Sequence, residues 1–102
     1  MSIFAVNGVR IDLLTRRVTH VRWAKVNPQD DSWVEVPREA RVMDVVDAIM
    51  GGDDVYTIFS VGGQSVVGPA LKTVVYRDAS QGIELDVDAT KVSRTLDELP
   101  QI

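Results

Sequence analysis

Five basic side chains lie close together near the start of the chain, where cationic groups could bind an anionic partner. They are Arg16, Arg17, His20, Arg22 and Lys25. Trp23 lies among them, and cations interleaved with an aromatic are typical of surfaces that hold phosphates and stack a base. On an extended strand, however, His20 and Arg22 share one face while Trp23 points to the other. A buried tryptophan beneath a charged outer face is one interpretation, and a site for an acidic partner, either nucleic acid or protein, is the other.

Three carboxylates alternate along a second segment, at Glu84, Asp86 and Asp88. On a strand they would face the same side at intervals of about 7 Å, and hard cations bind such oxygen clusters. The same residues would also make a solvated strand edge that resists aggregation. We favour the solvated edge and predict no metal site. A metal-dependent enzyme or subunit that uses residues 84–88 is the alternative.

Other patterns in the chain give no support for catalysis. There is no cysteine, which excludes thiol nucleophiles and cysteine-bound zinc. His20 is the single histidine, and no serine can be placed beside it from spacing alone. Gly63 and Gly68 have the separation of a phosphate-binding loop, but Pro69 and Ala70 follow where that loop needs lysine and a hydroxyl residue. We therefore predict no catalytic residue and no cofactor.

Charge is divided unevenly along the chain. Residues 1–27 contain five basic residues and one acidic residue, whereas residues 28–102 contain six basic and fourteen acidic ones. The net charge of −4 opposes general affinity for nucleic acid. The basic segment could bind an acidic protein, or it could lie against the acidic remainder of its own chain.

Valine-rich segments predict strands over the first part of the chain. Eighteen valines favour pleated, half-buried surfaces over helices. Residues 3–6 and 9–14 flank Asn7-Gly8, the favoured pair for a two-residue turn, and so predict an opening hairpin. A third strand is predicted over residues 18–26, and a short one over residues 33–36.

The apolar period changes over residues 38–50, where we predict the main helix. The apolar residues that fall on one helical stripe are Val42, Val45, Val46, Ile49 and Met50. Pro37 suits a first helical turn, and the two glycines after Met50 suit its end. Because valine and isoleucine lower the intrinsic helix propensity, packing must hold this helix.

Further strands are predicted after the helix, over residues 55–61, 71–77 and 83–88. Turns are expected at residues 62–64, 68–69 and 78–82. The clean alternation within 83–88 predicts one buried and one solvated face. Residues 92–102 are predicted to form either a final helical turn or a docked tail.

Two short motifs carry a resemblance to a known group of domains. Thr-His-Val-Arg at residues 19–22 is followed by one mid-chain helix, a Val- and Tyr-rich strand series and Leu-Asp-Glu-Leu-Pro at residues 96–100. Over residues 18–100 this resembles small bacterial domains of unknown function that open with a Thr-x-Val-Arg strand and close with Leu-x-x-Leu-Pro. The resemblance implies a bacterial source. It transfers no active residues, and the opening hairpin is not part of the pattern.

These features predict a single α+β domain over residues 1–102, with a mostly antiparallel sheet of five to seven short strands and one main helix on one face. We expect a cytoplasmic location, since the chain shows no signal segment and no membrane-spanning run. The expected function is a small non-enzymatic interaction module that binds a protein partner or its own copy. Nucleic-acid binding through the basic N-terminal face is the alternative.

Overall fold

The structure, a computed structural model, describes residues 2–27, 29, 32–86 and 99–102. Within these ranges one helix packs against a six-stranded, mostly antiparallel sheet, which confirms the predicted α+β class. The described part of the chain has no helix with the length and apolar character needed to cross a membrane. The elements are β1 (Ile3–Ile11), β2 (Val18–Lys25), β3 (Arg38–Arg41), α1 (Val42–Met50), β4 (Asp54–Val61), β5 (Gln64–Val75) and β6 (Gln81–Leu85).

The strands follow the order β3-β2-β1-β4-β5-β6 across the sheet. β1 pairs antiparallel with β2 and parallel with β4, while the other neighbours pair antiparallel. Because parallel strands need a crossover connection, the chain makes β2, β3 and α1 before it returns as β4. This crossover lays α1 on one face of the sheet.

The face beneath α1 is apolar and forms the core. Val45 and Val46 of the helix are fully buried, as the predicted stripe requires. Trp23 is buried on the same side, where its ring stacks on Phe4 at 4.4 Å between centroids. The remaining members of the core cluster are Val6, Val9, Val18, Val21, Val55, Phe59, Leu71, Ile83 and Leu99. Burial of these apolar side chains holds a helix that is too short and too rich in valine to be stable alone.

The predicted opening hairpin is wrong, because β1 runs without interruption through Asn7 and Gly8. Val6 pairs with Trp23 and Gly8 pairs with Arg22, so Asn7 is the extra residue of a β-bulge. Without the bulge, strict alternation would place Val6 and Val9 on opposite faces. With it, both valines are buried in the core. The tertiary pairing of β1 therefore overrides the local turn preference of Asn-Gly.

The region before the helix also differs from the prediction. The predicted strand over residues 33–36 is absent; Trp33 makes a single bridge with Val26, and the strand lies at Arg38–Arg41 instead. The helix begins at Val42 rather than near residue 38, and the Asp44 carboxylate accepts a hydrogen bond from the Arg41 N–H at 3.3 Å. Residues 38–41 are good helix formers, but pairing with β2 holds them extended.

The turn predicted at Gly68-Pro69 is wrong as well, since both residues lie within β5. The register between β4 and β5 shifts there, opposite Thr57. The buried Thr57 hydroxyl donates to the Pro69 carbonyl at 2.9 Å, which satisfies a polar group inside the core. Gly68 and Pro69 therefore lie at an irregularity in a long strand. Glycine and proline are less destabilising there than within regular strand pairing.

Residues 99–102, here called the tail, dock beside β1. The Val9 N–H donates to the Pro100 carbonyl at 2.9 Å, and the Ile102 N–H donates to the Val9 carbonyl at 3.0 Å. Leu99 is buried in the core cluster. The docked alternative holds for these four residues, whereas residues 92–98 lie outside the described part of the chain. The last strand, predicted over residues 83–88, is observed at Gln81–Leu85. Residues 87 and 88 lie outside the described part of the chain.

Replacing Gly68 with alanine should destabilise the fold. An added Cβ would lie 2.5 Å from Thr57 Oγ1 and 2.6 Å from a ring carbon of Phe59, and both neighbours are buried. We expect Gly68→Ala to lower the free energy of unfolding by about 1–3 kcal/mol, measured by chemical denaturation. Ser65→Ala, at an exposed position of the same strand, should change it by less than about 0.5 kcal/mol. Equal stability of the two variants would contradict the close approach at Gly68.

Shortening Leu99 tests whether the tail contributes to the core. Leu99→Ala should lower the free energy of unfolding by about 2–5 kcal/mol, since it leaves a cavity among buried side chains. Pro100→Ala is the matched control because residue 100 is exposed and its carbonyl, which accepts the Val9 N–H, is retained. Similar unfolding curves for Leu99→Ala and the unsubstituted chain would show that the tail is not part of the core.

Candidate functional site

The fold separates the five predicted binding residues into three places. Arg16 and Arg17 lie in the turn between β1 and β2, whereas His20 and Arg22 lie within β2. Lys25 ends β2, where its Nζ is 5.9 Å from the centroid of the core-side Phe4 ring. The predicted set therefore does not form one continuous site, and its role in binding stays a prediction.

Asp12 organises the turn between β1 and β2. Its Oδ1 accepts hydrogen bonds from the N–H groups of Leu14, at 2.8 Å, and Thr15, at 3.1 Å. Its backbone carbonyl accepts the Arg16 N–H at 2.8 Å, and its own N–H donates to the Arg17 carbonyl at 2.9 Å. The bonds from Thr15 and Leu14 hold the pKa of Asp12 below its usual value because they favour the charged carboxylate. The turn is thus ordered before any partner arrives.

Two leucines project from this ordered turn. Leu13 is 85% exposed and Leu14 is 94% exposed, and we call this pair the leucine tip. Beside them is an open pocket of about 710 Å³, here called the tip pocket. Its lining residues are Ile11, Leu13, Arg16, Arg17, Val18, Tyr76, Ile83 and Gln101. An apolar floor therefore adjoins two exposed apolar side chains and two arginines.

Arg16 occupies a strained position at the rim of this pocket. Its φ of 61° lies in the left-handed region, which glycine or asparagine would adopt at lower cost. Its guanidinium makes no hydrogen bond or ion pair within the described residues. The arginine is thus held exposed and available to an acidic group.

Arg17, in contrast, is engaged within its own chain. Its guanidinium lies 3.7 Å from the centroid of the Tyr76 ring, and its Nη1 is 3.2 Å from Asp78 Oδ2 and 2.9 Å from Ser80 Oγ. These contacts join the β1–β2 turn to the β5–β6 turn, although β4 separates the two pairs of strands in the sheet. The sheet must therefore curl. Of the alternatives for the basic segment, Arg17 follows the intramolecular one, because it pairs with an acidic residue of its own chain.

The opposite face of the sheet, which α1 leaves uncovered, is here called the open face. His20 and Arg22 lie there, and the strand register adds two further arginines. Arg10 pairs with His20, and His20 pairs with Arg41, so three basic side chains form one row across β1, β2 and β3. Sequence reasoning missed Arg10 and Arg41 because their proximity depends on a register that spacing along the chain does not give.

The charges on this open face are partly compensated. Arg10 forms an ion pair with Glu39, and its Nε also donates to the Ile102 carbonyl at 3.1 Å. Arg22 Nε donates to Asn7 Oδ1 at 3.0 Å. Three arginines therefore face a single glutamate on β1 to β3, which leaves this part of the open face basic.

Trp33 lines a second pocket, on the open face. Its bridge with Val26 places it at the edge of β2, and it is 38% exposed. The pocket has a volume of about 370 Å³ and is called the indole pocket. Its lining residues are Asn7, Arg22, Trp33, Ile58, Phe59, Ser65, Val67 and Pro100. Trp23 is buried in the core, as the interpretation of a buried tryptophan beneath a charged face expects, and Trp33 lies beside Arg22 on the open face.

The carboxylate row is only partly within the described residues. Glu84 is exposed and its Oε1 lies 3.4 Å from Lys72 Nζ on the neighbouring strand. Asp86 follows the end of β6, and Asp88 lies outside the described residues. In the part of the chain that the structure describes, no three His, Asp or Glu side chains are close enough to hold a metal ion.

The contacts of Asp78 predict a lowered carboxyl pKa that a pH titration can measure. The Ser80 hydroxyl and the Ser80 N–H, followed by Arg17, lower the pKa of Asp78 from 3.8 to about 2. We expect Ser80→Ala to raise this pKa toward 3.8, and carbon NMR of the carboxyl group during a pH titration measures it. Since folding lowers this pKa, the stabilising contribution is present above pH 3.8 and is lost as the pH falls through about 2. An unsubstituted chain in which Asp78 titrates near 3.8 would contradict the contact.

Comparisons with protein-family models, with curated proteins and with solved structures find no match to this chain. No family is therefore assigned, and the resemblance to the bacterial Thr-x-Val-Arg domains stays a prediction.

Proposed function

We propose that this chain is a small non-enzymatic interaction module that binds a protein, either a partner or a second copy, through the leucine tip. The observation that carries the proposal is the exposure of Leu13 and Leu14, 85% and 94%, on a turn whose conformation Asp12 fixes. Isolated exposed apolar residues are ordinary, but adjacent ones beside an apolar pocket make a continuous patch.

Burial of such a patch would contribute favourably to the binding energy of an interface. Fully burying one leucine side chain is worth about 1.5–3 kcal/mol, so two supply about 3–6 kcal/mol. A turn that is already ordered loses little conformational entropy on binding, which leaves more of this energy for affinity. The tip and the adjoining pocket together give an apolar area that a protein partner can bury.

The position of the tip also suits a symmetric dimer. Leu13 and Leu14 lie next to the tip pocket, so a two-fold axis nearby would let each copy insert a leucine into the pocket of the other. A partner protein with an exposed apolar side chain would use the same surface. Arg16 at the rim has no ion pair among the residues that the structure describes, and it favours a partner that carries a carboxylate next to that side chain.

The test removes the apolar tip without disturbing the fold. Sedimentation velocity over a range of concentrations detects self-association, and a photo-crosslinking residue at position 14 captures a partner from native lysate. We expect the double variant Leu13→Ser, Leu14→Ser to lose the association while its melting temperature stays unchanged. The matched control is Val34→Ser, Val36→Ser, which removes two exposed apolar side chains from a different loop.

Two outcomes count against the proposal. Association that persists in the leucine variant, or that is lost equally in the valine variant, would show that the tip is not the binding surface. A chain that stays monomeric and forms no adduct at position 14 would have no interaction there.

A further inference from the structure

We propose that the open face carries a second binding site, separate from the leucine tip, which binds single-stranded nucleic acid. One base would enter the indole pocket against Trp33, and the adjoining phosphates would contact the row of Arg10, His20 and Arg41. The site does not depend on the proposed function, because no residue of the leucine tip takes part in it.

The indole pocket has the parts that a flipped-out base requires. Trp33 offers an aromatic ring for stacking, and Ile58 and Val67 provide apolar walls. Asn7 and Arg22 line the same pocket, and the bond from Arg22 Nε to Asn7 Oδ1 fixes both side chains. Among the described residues, the Asn7 amide nitrogen and the other guanidinium N–H groups of Arg22 have no side-chain hydrogen bond, so they can donate to acceptors on the edge of a base.

The basic row lies where the strand would leave this pocket. Arg22 and His20 are two residues apart on β2, about 7 Å along one face. From His20 the row extends to Arg10 on one side and to Arg41 on the other, each one strand away and therefore about 5 Å distant. Arg10 is already ion-paired with Glu39, which lies opposite Arg22 on the same face, so phosphate contacts begin at Arg22, His20 and Arg41 and reach Arg10 by exchange with that carboxylate.

The geometry favours a single strand over a duplex. A base can stack on Trp33 only after it leaves its own stack, and the grooves of a duplex admit a helix or a two-stranded ribbon rather than a broad sheet face. The net charge of −4 weakens binding overall. Glu39 lies on the open face itself, where it pairs with Arg10, whereas Glu84 lies on β6, three strands from β1. Exposed charges farther apart than about 8–10 Å are largely screened at physiological salt.

The experiment measures the fluorescence anisotropy of labelled oligothymidine and oligouridine of about 12 nucleotides, a length typical of such sites, and of a duplex of equal length. We expect both single strands to bind at low salt more tightly than the duplex. Trp33→Ala should weaken binding roughly tenfold or more, and Trp33→Phe should retain most of it, since stacking needs only an aromatic ring.

The basic row is tested with two arginines from one strand. Arg41 pairs with His20 on the open face, whereas Arg38 pairs with the core-side Trp23 at the other end of β3. We expect Arg41→Ala to weaken binding several-fold and to reduce the salt dependence by about 0.7 in log–log slope, one phosphate contact. Arg38→Ala, with the same loss of charge, should leave both quantities nearly unchanged.

Several results would overturn the site. Equal weakening by Arg38→Ala and Arg41→Ala would mean non-specific attraction, and duplex binding that is insensitive to Trp33 would mean that no base stacks there. Absence of binding at low salt, or cross-linking of this face to protein instead, would also exclude it. The leucine-tip variant should bind oligonucleotide normally, so failure of one site is distinguishable from failure of the other.

Discussion

The bulge at Asn7 is the constraint from which both faces of the sheet follow. It resets the alternation of β1, so that Val6 and Val9 both point to the core while Gly8 and Arg10 face the other way. A regular strand would bury one of these valines and leave its partner in solvent, because successive side chains alternate strictly. The extra residue also has a second role, since Asn7 Oδ1 accepts a hydrogen bond from Arg22 and orients it on the open face.

The same strand determines how the sheet closes. β1 pairs with β4 only over Ile3 to Val6. Farther along β1, the tail forms backbone hydrogen bonds with Val9. On the other side of β4, close packing of Gly68 against Thr57 and Phe59 accompanies a register shift in β5. The sheet is curled so that Arg17 contacts Tyr76 and Asp78. The tip pocket lies at this contact and so depends on closure. Both pockets border the tail, the tip pocket at Gln101 and the indole pocket at Pro100.

Charge and apolar exposure are distributed so that the two candidate surfaces differ in chemistry. The leucine tip is apolar, and Arg16 at its rim has no ion pair among the described residues, so this surface suits a protein partner that buries side chains. The open face has a row of basic side chains and a partly exposed indole, and this combination suits a polyanion with planar bases. Arg17, which local sequence places in a single basic cluster, lines the tip pocket, but its guanidinium is already engaged with Tyr76 and Asp78 of its own chain.

Local sequence by itself determined the helical stripe of Val42 to Met50, the strand at residues 18–25, the burial of Trp23 opposite His20 and the α+β class. These follow from periodicity, which is a property of neighbouring residues. Only the tertiary structure decided that Asn7-Gly8 and Gly68-Pro69 lie inside strands, that residues 38–41 are extended, and that Arg10 and Arg41 flank His20. The physical reason is that pairing energy comes from partners distant in the chain, which outweigh the turn and helix preferences of a few residues and set a register that no local pattern contains.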